Sequence, residues 1–180
     1  MSNPPSMQGQ PGVPAGAVPL SQPLYGASIA DAWTRFWKKY ATFSGRASRS
    51  EYWWWYLIAV VINGVLNSLG RIDGAVGDTF NVVGGLWGLA TIVPTLALLW
   101  RRLHDTNRSG LWAFAPLVLV GVGVVLLGIA AVMMMGGGSV STATGIFIVL
   151  LAVGFFLVSL VILLILTVLG PNPEGARFDK

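Results

Sequence analysis

Four stretches of this chain, at about 52–70, 82–100, 111–135 and 146–169, carry no charged side chain. Each runs to roughly 19–25 residues, and a helix needs about 20 to cross a hydrocarbon core ~30 Å thick. A helix inside a soluble domain is rarely apolar on every side over such a length. Only 10% of the 180 residues are charged and 54% are hydrophobic, against about 25% and about 45–50% in soluble domains. These runs predict an all-α membrane protein with four transmembrane helices.

The segments around them read differently. Six of the ten prolines fall between Pro4 and Pro23, mixed with Gly, Ser and Gln. Such a stretch buries too little apolar surface to offset ordering, so residues 1–27 are expected to be a disordered tail. The first 30 residues hold no Lys or Arg and no apolar core, unlike a cleaved signal peptide. Residues 28–42 place Ile29, Trp33, Phe36, Trp37 and Tyr40 at helical spacing, with Arg35, Lys38 and Lys39 on other faces. Ser28 and Asp31 form an N-terminal capping pair. That pattern predicts an amphipathic interfacial helix on the cytosolic rim. Residues 71–79 and 136–145 are expected as turns. The prolines after Gly170 end the fourth helix, and residues 176–180 form a cytosolic tail.

Charge orients this arrangement. With four spans and both termini on one side, every Lys and Arg except Arg71 falls on that side, ten of the eleven. The positive-inside rule makes it the cytoplasmic side. The net charge of +4 then meets anionic lipid headgroups, and no nucleic-acid partner is expected.

Two polar clusters share that face. In the first, FSGRASRSEYWWW at 43–55, Ser48 and Glu51 have capping-box spacing, and the aromatic run beyond them suits headgroup depth. The second is RRLHDTNRSG at 101–110. Asp105 is placed to pair with Arg101 at i, i+4 or Arg102 at i, i+3 if the second helix continues that far. A network Glu51–Arg102–Asp105–Arg49 is expected to clamp the ends of the first two spans. Arg46, Arg49, Arg101, Arg102, His104 and Arg108 are candidates for holding a lipid phosphate or a partner. Ser48, Glu51 and Asp105 are the candidate structural clamp. The lone His104 has no second His and no Cys beside it, so neither a metal site nor a catalytic triad is expected, and no cofactor motif is present.

Together the clusters resemble DUF805, a family of small bacterial inner-membrane proteins whose pattern joins a GRASRSEYW-like segment to RRLHDTGRSGWW. Residues 45–53 and 101–106 match it, as do Arg108, Ser109, Gly110 and Trp112. Asn107 stands where the family usually has Gly, and Leu111 where it usually has Trp. The Gly170-Pro171-Asn172-Pro173 ending is similar too, so the resemblance covers about 36–175, including the four-helix domain at 43–175. It implies a multi-pass protein of the bacterial inner membrane and brings no activity.

The function expected is a non-enzymatic membrane scaffold whose two motifs bind acidic phospholipid headgroups or a partner, with self-association or a membrane-protein partner as further contacts. One alternative is an oligomeric channel or transporter accessory with a path along the Asn63/Asn67 face. The spans hold no Asp, Glu, Lys or Arg, which counts against ion coupling. The other alternative is an enzyme acting on a phosphate-bearing lipid through His104 and Asp105.

Overall fold

In the computed structural model of this chain, residues 18–136 and 139–179 are described. Five helices follow one another: α1 (Ile29–Lys38), α2 (Arg49–Leu69), α3 (Ala75–Asp105), α4 (Phe114–Met135) and α5 (Ser139–Val168). Short 3-10 turns lie at Gly110–Ala113 and Pro173–Phe178. No strand occurs among the described residues. Among the described residues, those from 18 to 110 with those from Gly170 form one compact unit, and those between Leu111 and Leu169 form another.

Among the described residues three helical stretches are long and apolar enough to cross a membrane: Ala75–Asp105, Gly110–Met135 and Thr142–Val168. Four were expected. The missing one, at 52–70, lies in α2. That helix opens on Arg49, Ser50 and Glu51. A run of Tyr and Trp follows, whose polar N–H and O–H groups favour the headgroup zone. Asn63 and Asn67 lower its apolar character further. Two turns are also shorter than expected. Helix α3 starts at Ala75, where Asp78 in its first turn complements the N-terminal dipole. Helix α5 starts at Ser139, so most of the expected 136–145 turn is helical.

In the first unit α2 and α3 form a hairpin. The Ala47 N–H, just before α2, donates to the Arg101 carbonyl near the end of α3 (3.1 Å). Helix α1 docks across the pair through aromatic rings. Phe36 stacks on Trp55 with centroids 3.3 Å apart, Trp33 stacks on Trp87 at 6.5 Å, and Tyr40 Oη donates to the Ala90 carbonyl (2.7 Å). Fully burying a side chain such as Phe36 is worth about 1.5–3 kcal/mol. The core, with Ala32, Phe36, Ala47, Trp55, Leu98 and Leu103, gathers at the end where the two motifs lie.

Helix α1 spans Ile29–Lys38 with its Ser28–Asp31 capping box. Of the cations placed on its other faces, Arg35 and Lys39 are buried and Lys38 is exposed. Residues 18–27 depart from the expected tail. Leu24 and Ala27 are buried, and Ser21 accepts the Arg46 N–H through its carbonyl. The rest of that predicted tail, 1–17, lies outside the described residues.

In the second unit α4 and α5 pack closely at Gly123, where an added Cβ would sit 3.0 Å from the Phe156 ring. A Cβ at Gly121 or Gly128 would meet nothing within 4 Å. Ser159 Oγ donates to the Pro116 carbonyl (2.9 Å). Several polar groups of the long helices instead bond their own helix: Asn63 Nδ2 to the Ala59 carbonyl (2.7 Å), Thr91 Oγ1 to that of Trp87 (2.9 Å) and Thr167 Oγ1 to that of Leu163 (2.8 Å).

Candidate functional site

The GRASRSEYW segment builds the start of α2. Gly45 takes a left-handed backbone (φ +77°), and a Cβ there would stand 2.5 Å from the Ser21 carbonyl oxygen. Only glycine meets both demands without strain. Ser48 caps α2: its hydroxyl accepts the Glu51 N–H (3.2 Å), and Glu51 Oε2 accepts the Ser48 N–H (2.8 Å). The same Oε2 takes the Leu24 N–H (3.1 Å), and Oε1 takes Arg35 Nε (2.6 Å). Ser50 Oγ accepts the Ala27 N–H (3.0 Å). Thus Glu51 ties α2 to α1 and to the segment before it.

The RRLHDTNRSG segment builds the end of α3. The Arg108 N–H donates to the Leu103 carbonyl and the Asn107 N–H to that of His104, both at 3.0 Å. With Thr106 as cap and Asn107 at φ +59°, this is the paired bonding of a Schellman ending. Glycine is the usual residue at such a position and asparagine the usual substitute. That accounts for Asn107 where the pattern favours Gly. Gly110 is required by contact, since a Cβ there would run into the Trp100 ring.

Asp105 is the second hub and is fully enclosed. Its Oδ2 accepts Arg102 Nη1 (2.7 Å), its Oδ1 accepts Tyr25 Oη (2.8 Å), and Arg46 Nη1 lies 3.9 Å away. Its backbone carbonyl takes the Asn172 N–H (2.8 Å). Arg46 grips Asp179 with Nε and Nη2, a two-pronged pair that holds its guanidinium more basic than usual. Burial, then the Asp105 charge, pushes the Tyr25 hydroxyl well above its ordinary value. His104 Nδ1 meets the Gly45 carbonyl (3.1 Å), and the ring stacks on Phe178.

The expected four-member network is therefore divided. Glu51 pairs with Arg35 and lies 4.0 Å from Lys39, while Asp105 pairs with Arg102 and Arg46. Arg49 is exposed at the first residue of α2, and Arg108 is half-buried and helps close α3 through its backbone. Arg101 is buried with Nε on the Ala97 carbonyl (3.1 Å). Of the candidate phosphate-holding arginines, Arg46 and Arg102 meet at Asp105. Among the described residues no group of three or more His, Cys, Asp or Glu could hold a metal ion. A cavity of about 380 Å³ lies along α1, lined by Asp31, Thr34, Arg35, Lys38 and residues 18–20, not by His104 or Asp105.

Sequence reasoning missed Tyr25, Asn172, Glu174, Phe178 and Asp179, which complete the site. Asn107 Nδ2 donates to Glu174 Oε2 (2.7 Å), and the Gly45 N–H donates to the Phe178 carbonyl (2.9 Å). Arg35 and Lys39 were legible only as cations of an amphipathic helix. No local spacing links any of them to the motifs.

The sequence profile described as "Protein of unknown function (DUF805)" matches residues 40–180. Inner membrane protein YhaI of Escherichia coli K12 is 44% identical over 84 residues, which is 45% of this chain and 69% of YhaI. Inner membrane protein YhaH of the same organism is 35% identical over 91 residues, 49% of this chain and 74% of YhaH. No solved structure matches the chain.

Proposed function

This chain belongs to the DUF805 family, and from that premise we propose that it is a non-enzymatic membrane scaffold. Its two motifs clamp the helix ends on the cytoplasmic face rather than act on a substrate. The observation that carries this is the inward turn of the motif groups. Asp105 is enclosed by Arg102, Arg46 and Tyr25, and His104 lies between the Gly45 carbonyl and Phe178. A catalytic base needs reach to a substrate proton, and these groups reach one another.

The membrane arrangement proposed has α2 crossing beside α3. Connectivity supports this despite the polar start of α2. Helix α2 begins at the Arg101 end of α3 and, after residues 70–74, hands the chain to the other end at Ala75. If α3 crosses, α2 has to return across the same thickness. The four crossings then leave both termini with the cation-rich, cytoplasmic face. Helix α1 packs on α2 and α3 from that face inward to Trp87 and Ala90, with Ile29 and Trp33 exposed toward lipid, and the exposed Lys38 and Arg49 meet acidic headgroups or a partner protein.

The test compares Asp105→Asn, Arg102→Met and the double variant by equilibrium unfolding in mixed micelles. Removing one partner of a buried pair costs about 3–5 kcal/mol. Each single variant should lose that much, and the double variant should lose clearly less than their sum. Single variants as stable as the wild type would end the clamp reading.

A further inference from the structure

Three cations and one carboxylate are enclosed together where α1, α2 and α3 meet. Arg35, Lys39, Glu51 and Arg101 are only 5, 2, 3 and 1% exposed. The carboxylate is largely engaged: Oε1 takes Arg35 Nε, and Oε2 takes the Leu24 and Ser48 N–H groups. Lys39 Nζ stands 4.0 Å from Oε1, outside hydrogen-bond reach. Among the described residues neither Lys39 Nζ nor Arg101 Nη2 has a hydrogen-bond partner. The other carboxylate acting on Lys39, that of Asp179, is gripped by Arg46. Three cations less one carboxylate leaves a formal excess of two positive charges in the interior.

Buried charge without a counter-charge is among the least favourable things an interior can hold. A water molecule would satisfy the two donors but not the charge. An anion satisfies both. Burial draws the Lys39 ammonium down to about 7, and the Arg35 and Arg101 charges push the same way against the pull of Glu51. That is how an ammonium responds when burial outweighs the counter-charge beside it.

We propose that Lys39 Nζ and Arg101 Nη2 are the donors of a buried anion site that takes a phosphate group, with Arg35 adding charge from beside Glu51. A phosphodiester headgroup carries one negative charge and free phosphate one to two near neutral pH, so either offsets at least half of the excess. A guanidinium edge and an ammonium point charge are suited to its oxygens. The source is either a lipid headgroup or free phosphate. The site is distinct from the clamp, whose Arg46 and Arg102 are engaged by Asp179 and Asp105.

The experiment uses the full chain in nanodiscs and follows thermal unfolding by Trp fluorescence. Discs of neutral phosphatidylcholine are compared with discs containing phosphatidylglycerol. Neutral discs are also compared in millimolar inorganic phosphate and in chloride of equal ionic strength. Wild type should be stabilised by at least one phosphate source. Lys39→Met and Arg101→Met should bind that source at least about tenfold more weakly, and Lys39→Arg should retain it. A gain with phosphatidylglycerol alone identifies the lipid headgroup. A gain with inorganic phosphate shows that the phosphate group suffices. Identical responses of wild type and Lys39→Met to both sources, or a wild type that responds to neither, would overturn the site. Lys39→Met leaves the Arg35–Glu51 and Arg102–Asp105 pairs in place, and the clamp is tested at Asp105, so the two readings fail separately.

Discussion

The imidazole of His104 lies face to face with the Phe178 ring, with centroids 3.9 Å apart and planes 7° from parallel. One residue is near the end of α3 and the other closes the final 3-10 turn. Gly45 joins them, with its carbonyl at His104 Nδ1 and its N–H on the Phe178 carbonyl. The last residues are thus packed onto both motifs. Phe178→Ala should lower stability by about 1–2 kcal/mol, from the lost stacking and area. Phe178→Tyr should cost well under half of that. Equilibrium unfolding in mixed micelles reads the difference, and an unchanged Phe178→Ala midpoint would mean that the tail contributes nothing.

Asn107 offers a test of backbone geometry. At φ +59° it occupies a conformation that costs a residue with an ordinary Cβ about 1–2 kcal/mol. Asn107→Ala should lose about that amount. Asn107→Gly relaxes the backbone but gives up the bond to Glu174, so it should stay within about 1 kcal/mol of the wild type. Alanine tolerated as well as glycine would contradict the cap.

Gly45→Ala should be more damaging. It combines a positive φ with a Cβ only 2.5 Å from the Ser21 carbonyl oxygen. The expected loss is at least about 2 kcal/mol, with faster proteolysis within residues 18–27 as that segment is pushed off. Limited proteolysis with mass spectrometry reads this directly, and a wild-type cleavage pattern would argue against the contact.

Lys39 gives the stability a pH dependence. Its folded value of about 7 lies below the ordinary 10.5. Between those values the unfolded chain binds more protons than the folded one, so stability should rise as pH rises from about 7 toward 10.5. The groups facing Lys39 are Glu51, Arg35, Arg101 and Asp179. In phosphate-free, zwitterionic detergent, Lys39→Met should flatten this part of the profile. Parallel wild-type and variant profiles between pH 7 and pH 10 would show that Lys39 does not titrate there.

The chain has no cysteine, so single labelling sites are easily placed at the exposed Asp73 and Ala176. In spheroplasts a membrane-impermeant maleimide should label the Asp73→Cys variant directly. The Ala176→Cys variant should react only after permeabilisation. Protection of position 73 would mean that α2 does not cross.

Local order was legible wherever its cause was local. The Ser28–Asp31 and Ser48–Glu51 spacings specify two capping boxes, because a hydroxyl three residues before a carboxylate meets the exposed amides of a first turn. The uncharged runs specify long apolar helices for a comparable reason. The helical start at Ala75 and Ser139 was hidden, since small polar residues suit either a turn or a helix end. The count of membrane-fit helices also differed, because the aromatic and Asn-bearing α2 balances between headgroup and hydrocarbon preferences.

The choice of ionic partners belongs to tertiary structure. Sequence placed Glu51, Arg102, Asp105 and Arg49 on one face, and any cation brought within a few ångströms of a carboxylate can pair with it. Which one arrives depends on where α1 lands. The stacking of Phe36 on Trp55 sets Arg35 against Glu51, and the docking of the tail brings Asp179 to Arg46. Helix periodicity and capping follow from neighbours in the chain. These pairings follow from apolar surfaces far apart in sequence finding each other, and no spacing records that.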